Sequence, residues 1–402
     1  MKSNHSKNKI LLSILILAIL FSCKKKSEFL QEETKVVDQE ESISLETAKE
    51  LAISYSDRVF ENVLNKEASA VISTNENIKN TEIANNVTSN RNLFYVINLN
   101  PSGFVIVSAT NKIEPILAYS ETGYFDLKNA MYGVKDWIDG ISDKINYYIE
   151  MDVEPDSTTI KEWDNITTFS APPNDEEIIV VGPTIHELQG PYLTTSWGQG
   201  VGYNDAIPGN YGCVLYSNGK PPIGCVATAI GQIINYWRYP STFDWNNMPS
   251  TGGGGAIPNL LYTIAEMVDM SYSCSGSGAT SSSARNAFVT LGYTSSSLST
   301  YNENTVAQQL NNKKPVMLFG TDSSIGAGHA WVCDGYKRDV YTLIHNPNTI
   351  YEYETYTYGY YYFYMNWGWG SELYNGYYRS YQFNTSNGKF NDNVYMISNI
   401  YH

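Results

Sequence analysis

The first half of the chain alternates between apolar residues at helical spacing and short, nearly continuous apolar runs. Apolar residues at every third or fourth position predict helices over residues 44–59 and 131–148. Between these helices, apolar runs predict a β-hairpin and one further strand at residues 93–99, 104–108 and 116–120. Residues 68–92 are rich in Asn, Thr and Ser, which is typical of a loop. Together these patterns predict a compact α+β unit of about a hundred residues.

The second half begins with helical patterns and ends with strand patterns. Helical spacing recurs in segments at residues 225–237, 260–268 and 306–310, with a further short helix around Ala287. Apolar runs typical of strands follow at residues 315–319, 330–335, 340–344, 361–365 and 394–400. This order predicts an α+β fold in which a helical half precedes an antiparallel β half. Prolines and an acidic run indicate a linker between the two halves of the chain, over residues 151–185.

Length and charge narrow the possible functions. A chain of 402 residues is long enough for two or three domains with substantial cores. The formal net charge of −15 opposes binding to nucleic acid through a general electrostatic field, and the one basic run is Lys24-Lys25-Lys26. The sequence therefore predicts no nucleic-acid partner.

The N-terminus carries the pattern of an export signal. Three lysines precede the apolar run Ile10–Phe21, which is too short to cross a bilayer as a mature helix. The run ends in Leu20-Phe21-Ser22-Cys23, which resembles the lipobox of bacterial lipoproteins, in which the cysteine is lipidated. We therefore predict a signal peptide over residues 1–22, lipidation at Cys23 and a solvated tether over residues 23–42. An ordinary cleaved signal with an incidental cysteine is the alternative.

Cys225 begins a predicted helix and is a candidate catalytic nucleophile. Pro221, Pro222 and Gly224 lead into it, and apolar residues then follow at positions 226, 229, 230, 233, 234 and 237. Unpaired N–H groups and the positive end of the helix dipole favour a thiolate at this position. A thiolate at a helix N-terminus can act as a nucleophile. The alternative is a small buried cysteine without a chemical role.

A cysteine nucleophile requires a base, and His329 is the histidine best placed to supply one. Glycines lead into a predicted strand that begins with His329, so the ring can face a cleft at the end of a sheet. His345 lies in Ile344-His345-Asn346-Pro347 and is predicted to be an exposed turn residue. The other histidines fall in the signal, the linker and the last position of the chain, as His5, His186 and His402. The alternative for His329 is a buried histidine with satisfied hydrogen bonds.

Further side chains complete a candidate site. Asn366 ends a predicted strand, and its amide oxygen can accept a hydrogen bond from the His329 ring, with Trp367 shielding that bond from water. Asp334 lies five residues after His329 along a strand and is therefore expected on the opposite face. Gln199, between two glycines, can donate to an oxyanion beside the N–H group of the nucleophile. The alternatives are aromatic packing for Trp367 and polar surface for Gln199.

The other cysteines argue against a disulfide framework and against a zinc site. The chain contains five, namely Cys23, Cys213, Cys225, Cys274 and Cys333. Setting aside the lipidation and nucleophile candidates leaves three, hence at most one bridge and one spare thiol. No Cys-x-x-Cys or Cys/His cluster has the spacing of a zinc site. Alternation along the strand predicts that Cys333 shares a face with His329 and Trp331, and is buried and unreactive.

The strings around these residues occur in a characteristic order. They are Trp197-Gly198-Gln199, Gly224-Cys225-Val226-Ala227-Thr228-Ala229, Gly328-His329-Ala330-Trp331-Val332, Asp334-Gly335-Tyr336 and Asn366-Trp367-Gly368-Trp369-Gly370. With this order, the chain from about Leu193 onward resembles the streptopain family of bacterial cysteine peptidases, which share the papain-like fold. Residues 103–108 and 116–120 look like the family's propeptide. The chain departs from the family at Ser371, where a further glycine is usual, and in the long Tyr-rich connection between Tyr336 and Met365.

The resemblance implies an exported zymogen of a cysteine endopeptidase that needs no metal or organic cofactor. By this resemblance, Cys225 is the nucleophile, His329 is the proton acceptor and Asn366 orients the His329 ring. Gln199 is the oxyanion-hole donor, and Trp367 packs beside the site. We expect an inhibitory propeptide domain over residues 43–165, a processing linker over 166–190 and a peptidase domain over 191–402. Expected partners are protein or peptide substrates, the chain's own propeptide, and the membrane through the lipid. The expected location is the bacterial cell envelope or cell surface.

Two other functions stay open. The same Cys–His pair can transfer an acyl group to an amine, as in a transglutaminase-like acyltransferase. A non-catalytic surface protein can keep the fold and use the Tyr-rich stretch to contact protein or glycan. Such a binding protein, however, has no need of an intact set of Cys225, His329, Asn366 and Gln199.

Overall fold

The computed structural model describes residues 42–64, 78–86, 91–130, 134–167, 178–295, 298–322, 327–345, 353–370, 373–379 and 394–402. The predicted signal peptide, Cys23, nearly all of the tether and the acidic part of the linker lie outside these residues. Residues 42–402 group into one compact unit. None of the helices in the described part of the chain is both long and apolar enough to cross a membrane.

The N-terminal part forms antiparallel strands flanked by helices. In chain order it contains α1 (Leu45–Leu64), β1 (Ile78–Asn86), β2 (Arg91–Leu99), β3 (Phe104–Ser108), β4 (Ile116–Ser120), α2 (Val134–Glu150) and α3 (Ser157–Thr167). The hydroxyl of Ser44 accepts a hydrogen bond from the Thr47 N–H and caps α1. The predicted helices, hairpin and following strand are therefore all present.

The C-terminal part contains the helices first and most of the strands afterwards. Its elements are β5 (Ile178–Gln189), α4 (Cys225–Trp237), α5 (Ile257–Met267), α6 (Ser281–Thr290), β6 (Ser299–Thr300), α7 (Glu303–Asn311), β7 (Val316–Asp322), β8 (Ala327–His345), β9 (Tyr353–Asn366), β10 (Gly376–Arg379) and β11 (Tyr395–Ile397). This arrangement confirms the predicted α+β class. The long Tyr-rich connection becomes the extended hairpin of β8 and β9, which pair antiparallel from Val332 opposite Asn366 to His345 opposite Tyr353.

One antiparallel sheet runs through both parts of the described chain. Its strand order is β1-β2-β3-β4-β10-β9-β8-β7-β11-β6, and β5 pairs with β8 beyond the end of β7. The two parts meet where β4 pairs with β10, with Tyr119 opposite Tyr377 and Ala118 opposite Tyr378. An apolar core that draws on both parts contains Phe94 and Trp137 from one part and Trp331 and Trp367 from the other. The N-terminal part is therefore packed into the same core as the strands that follow.

Two segments predicted to be irregular form regular structure. The expected loop over residues 68–92 contains β1, and the expected linker over 151–185 contains α3 and most of β5. Each strand is stabilised by antiparallel pairing: β1 pairs with the next strand, β2, and β5 pairs with the distant β8, from Gln189 opposite Tyr336 to Ile178 opposite His345. Such pairing overrides a loop-like composition. Gly182 and Pro183 lie at a register shift in β5, where a bulge accommodates proline.

Helix α4 lies at the centre of a second core. Its residues from Cys225 to Asn235 are all buried, among apolar side chains of α5, α6, β7 and β8. Gly231 allows a close approach, because a Cβ there would lie 2.5 Å from a methyl carbon of Leu261 on α5. Burial of the helix from its first residue places its N-terminus within this core, beside the sheet.

A single disulfide bond occurs among the described cysteines, between Cys213 and Cys274. It joins the loop that precedes α4 to the loop that follows α5. Cys225 and Cys333 are free and buried. The pairing agrees with the expectation of at most one bridge, and it leaves the predicted nucleophile as a free thiol.

Candidate active site

Cys225 is the first residue of α4 and is 7% exposed. The residue before it, Gly224, has a φ of 100°, which favours glycine. A Cβ at Gly224 would lie 2.6 Å from the sulfur of Met270 and 3.1 Å from the carbonyl oxygen of Ser277. The turn that leads into the helix therefore requires glycine both for its backbone conformation and for space.

The Cys225 thiol is buried against the strand that carries His329. Burial raises the pKa of the thiol, and the N–H groups of Ala330, Val226 and Cys225 itself oppose that shift with hydrogen bonds to the sulfur. The N–H groups at the helix N-terminus thus act in the predicted direction, but burial opposes them and is the larger effect in the full chain. Cys225 and Ala330 are buried in the same apolar core, which places the start of α4 against the strand position that follows His329.

His329 lies in β8 and is almost fully buried. Its Nε2 lies 2.8 Å from the carbonyl oxygen of Trp367. A carbonyl oxygen only accepts, so Nε2 carries the proton and Nδ1 carries the lone pair that can act as a base. The ring stacks on the indole of Trp369, with centroids 4.8 Å apart and planes 8° apart. Burial lowers the pKa of His329 to about 4, and the bond to Trp367 opposes that shift.

Asn366 lies at the end of β9, but its hydrogen bonds go elsewhere than the sequence predicts. Its amide oxygen accepts from Nε2 of Gln232 at 3.2 Å, and its amide nitrogen donates to the carbonyl oxygen of Thr195 at 2.8 Å. The expected bond from Asn366 to the His329 ring is thus replaced by one to the main chain of the next residue, Trp367. The side chain of Asn366 is committed to α4 and to the segment before Gln199.

Trp367 is fully buried beside the histidine, as its predicted packing role requires. Its indole centroid lies 4.9 Å from that of Trp331 and 6.4 Å from that of His329. Its main-chain N–H donates to the side-chain oxygen of Asn375 at 2.9 Å, which holds the backbone at the residue whose carbonyl oxygen contacts His329. Trp367 therefore contributes both an apolar wall and a main-chain acceptor.

Gln199 is nearly buried and is attached to the segment that leads into α4. Its carbonyl oxygen accepts from the Ile223 N–H at 2.8 Å, two positions before Cys225. Its side-chain nitrogen lies 3.4 Å from the carbonyl oxygen of Gly368, at donor distance. An amide nitrogen has two hydrogens, so one is left for a further acceptor. The oxyanion-hole role of Gln199 stays a prediction.

The other residues weighed from the sequence lie away from this cluster. Asp334 is fully buried, and its Oδ2 accepts from the Leu193 N–H at 2.7 Å, so it anchors the chain before the site. Burial raises the pKa of Asp334 to about 7. Cys333 is buried as predicted. His345 is the last residue of β8, not a turn residue, and lies at the opposite end of that strand from His329.

Gln232 is a residue of the site that sequence reasoning did not identify. It is fully buried in α4 and contacts both Asn366 and the N–H group of Trp197. The signal in the sequence is an amide between Gly231 and Ile233, on a helix whose other residues are mostly apolar. Within the part of the chain that the structure covers, no group of three His, Cys, Asp or Glu side chains could hold a metal ion.

Comparison with known proteins gives matches to both parts of the chain. The sequence model of the peptidase C10 family matches residues 197–243 and 241–378, and that of the Spi protease inhibitor matches residues 40–145. The thiol protease/hemagglutinin PrtT of Porphyromonas gingivalis is 26% identical over 289 residues, which cover 61% of this chain and 32% of PrtT. Streptopain of Streptococcus pyogenes is 26% identical over 297 residues, which cover 60% of this chain and 67% of streptopain.

A solved structure matches the fold as well. The prointerpain A fragment of Prevotella intermedia superimposes with a TM-score of 0.54 and 21% identity, over 80% of this chain and 99% of that fragment. At this identity the likeness shows the fold alone. The peptidase match covers Gln199, Cys225, His329, Asn366 and Trp367, and the inhibitor match covers most of the N-terminal part. Together these findings support a streptopain-family cysteine peptidase, in which residues 197–378 match the peptidase C10 family and residues 40–145 match the Spi protease inhibitor.

Proposed function

We propose that this chain is an exported cysteine endopeptidase, made as a latent zymogen, that cleaves peptide bonds through Cys225. The observation that carries the proposal is that Cys225, at the start of α4, and Ala330, which follows His329 in β8, are buried in the same apolar core. It brings the start of α4 against the position that follows His329, so a thiol and an imidazole lie on adjoining elements. The match to a cysteine peptidase family supports the same reaction class.

The proposed reaction follows from the protonation states of the two residues. The Cys225 sulfur attacks the carbonyl carbon of the substrate, and Nδ1 of His329 takes the thiol proton. The oxyanion that forms accepts hydrogen bonds from the Cys225 N–H and from the free N–H of Gln199. His329 then gives the proton to the leaving amine, which breaks the peptide bond and leaves an acyl-enzyme. Water, deprotonated by His329, releases the acid and regenerates the thiol.

Latency is proposed because the full chain holds both groups neutral. Burial raises the pKa of Cys225 and lowers that of His329 to about 4, which opposes a thiolate–imidazolium pair. The N-terminal part is linked to this site by aromatic contacts. The ring centroid of Trp137 on α2 lies 5.0 Å from that of Tyr378 on β10, and the Tyr378 centroid lies 5.3 Å from that of Trp367. Release of the N-terminal part would therefore remove a support of the peptide that holds His329.

The docking of the proposed propeptide, residues 43–165, also involves charges. Lys337 of β8 pairs with Glu121 at 2.8 Å, and the guanidinium of Arg379 on β10 pairs with Glu162 of α3. The four side chains are largely or fully buried, so they are held in one geometry at the junction. These contacts involve β8 and β10, the first of which carries His329. They support an inhibitory domain that acts through the peptidase strands.

The processing site is proposed to lie between Thr167 and Ile178, which narrows the predicted linker of residues 166–190. The reason is that β5 pairs with β8 along nearly its whole length. A cut within β5 would separate residues that belong to the peptidase sheet. A cut before Ile178 leaves β5 in the peptidase part, so that part begins earlier than the predicted residue 191.

Export and anchoring are proposed from the sequence alone. The signal pattern over residues 1–22 and the lipobox-like Leu20-Phe21-Ser22-Cys23 support lipidation at Cys23. The polar tether would then hold the protein at a membrane of the cell envelope or at the cell surface. Palmitate labelling of the wild-type chain and of a Cys23→Ala variant tests this part separately from catalysis.

The test of the main proposal uses residues 24–402 with and without Cys225→Ala. The wild-type chain should cut itself and yield a fragment of somewhat more than half the 45.1 kDa mass of the whole chain, with peptidase activity rising in parallel. The Cys225→Ala chain should stay intact until a trace of active enzyme is added. A full-length chain that is active and stays uncut would contradict latency. Transfer of an acyl group to an added amine without peptide cleavage would favour the acyltransferase instead.

A further inference from the structure

We propose that Gln232 is a positioning residue of the active site, which pairs with Asn366 to fix the main-chain carbonyl that holds His329 relative to Cys225. The inference rests on the proposed peptidase function and deepens it. It also assigns Asn366 a role through the main chain, in place of a direct bond to the imidazole.

A glutamine at position 232 of α4 is energetically unfavourable unless its side-chain amide is hydrogen-bonded. It lies two helical turns after Cys225 and is completely buried between apolar neighbours of the second core. A buried amide without partners costs free energy, so such side chains are almost always hydrogen-bonded. Gln232 meets this requirement entirely within the site. A leucine or methionine would fill the same space without needing any partner, so the choice of an amide calls for an explanation by its contacts.

The side chains of Gln232 and Asn366 form a reciprocal amide pair. Nε2 of Gln232 donates to Oδ1 of Asn366 at 3.2 Å, and Nδ2 of Asn366 donates to Oε1 of Gln232 at 3.2 Å. Each amide also holds the segment before Gln199: Oε1 of Gln232 accepts from the Trp197 N–H at 3.0 Å. Nδ2 of Asn366 donates to the Thr195 carbonyl oxygen at 2.8 Å. One buried pair therefore joins three chain segments.

These three segments carry the predicted catalytic groups. Helix α4 carries Cys225, the segment that includes Trp197 continues to Gln199, and Asn366 is followed directly by Trp367, whose carbonyl oxygen accepts from His329. Without the pair, the chain at Asn366 and Trp367 keeps the pairing of Asn366 with Val332 and the bond from the Trp367 N–H to Asn375, but it loses its side-chain connection to α4. The acceptor of the His329 proton would then shift, and with it the tautomer and orientation of the imidazole.

The effect should fall on the chemical step, since Gln232 is buried and lies behind the site. A misplacement of about 1 Å can cost about a hundredfold in rate. We expect Gln232→Met, which keeps the size of the side chain and removes its hydrogen bonds, to lower kcat by about ten- to a hundredfold with KM nearly unchanged. The matched control is Asn235→Leu, which replaces a buried amide one turn further along α4 that donates to the sulfur of Met248.

Two readouts separate positioning from mere stability. The first is kcat and KM of the processed enzymes, compared with their unfolding midpoints. The double variant Gln232→Met/Asn366→Leu removes both amides, so stability should recover while kcat stays low. The second is the ¹⁵N spectrum of the His329 ring in the full Cys225→Ala chain, where the parent should show the Nε2–H tautomer and Gln232→Met a mixture.

The outcomes are distinct. Wild-type kcat in Gln232→Met, or a loss matched by Asn235→Leu, would overturn the inference. So would an unchanged His329 tautomer, or a double variant that recovers kcat together with stability. A processed wild-type chain without peptidase activity would overturn the proposed function, and the tautomer comparison would still decide the role of Gln232. If Gln232→Met does not fold, Gln232→Asn, which shortens the side chain but retains an amide, is measured in the same way.

Discussion

Acidification should destabilise the full-length chain through His329, because this imidazole is buried in its neutral form. Its pKa is lowered from 6.5 to about 4, chiefly by burial. The unfolded chain therefore binds a proton at this residue over a range of pH in which the folded chain does not. The stabilisation from His329 is fully present above about pH 6.5 and is lost as the pH falls through about 4.

The size of the effect follows from the two pKa values. One pKa unit corresponds to about 1.4 kcal/mol, so the full shift of the His329 pKa corresponds to about 3.4 kcal/mol in the free energy of unfolding. About 2.5 kcal/mol of this stabilisation is lost by about pH 4.5. Buried carboxyl groups act in the opposite direction. Burial raises the pKa of Glu162 and Asp334 to about 7 and that of Asp339 to about 6, so these groups stabilise the fold on acidification. The pH dependence of stability in one protein therefore sums several groups. The contribution of His329 is obtained from the difference between a protein with this histidine and a variant without it.

The assay compares Cys225→Ala with Cys225→Ala/His329→Gln, both full length and both unable to process themselves. Urea unfolding, followed by tryptophan fluorescence, gives the free energy of unfolding at about pH 7.5 and about pH 4.5. Between about pH 7.5 and about pH 4.5, the free energy of unfolding should decrease more in the Cys225→Ala parent than in the variant that also carries His329→Gln. The difference should be about 2.5 kcal/mol. A His345→Gln variant serves as the control and should behave like the parent. Equal decreases in the parent and the His329→Gln variant would refute the buried neutral imidazole.

Three other predictions concern the site and its surroundings. His329→Ala should lower the rate of peptide hydrolysis by about three orders of magnitude or more, while His345→Ala stays near wild type; the reverse ranking would mean that the base lies at the other end of β8. A thiol alkylator should label Cys225 much faster after processing than before and should leave the buried Cys333 unmodified in both forms, which peptide mass spectrometry would show. Early labelling of Cys333 would contradict this. Replacing both cysteines of the Cys213–Cys274 bridge with serine should lower the free energy of unfolding by up to about 4 kcal/mol, because the bridge spans 61 residues; an unchanged denaturation midpoint would exclude that contribution.

Local patterns in the sequence were sufficient for the parts of this protein whose structure depends on nearby residues. The glycine before Cys225 and the apolar spacing after it predicted α4 and its N-terminal cysteine. Alternation along β8 placed Cys333 and Trp331 in the interior, and apolar runs predicted the strands β2, β3 and β4. Helical periodicity and strand runs arise from contacts within an element and with one buried face, so they are visible in a single sequence.

Only the tertiary structure decided how the site is held together. The imidazole of His329 is bound by the main chain of Trp367, and a main-chain carbonyl leaves no mark on residue identity. The pairing of Gln232 with Asn366, and of β5 with β8, joins positions far apart in sequence and has no local signature. The protonation of Cys225 likewise depends on burial by the strands packed against it, which outweighs the helix N-terminus. The sequence thus determined the candidate residues and their elements, whereas long-range packing determined their hydrogen bonds and charge states.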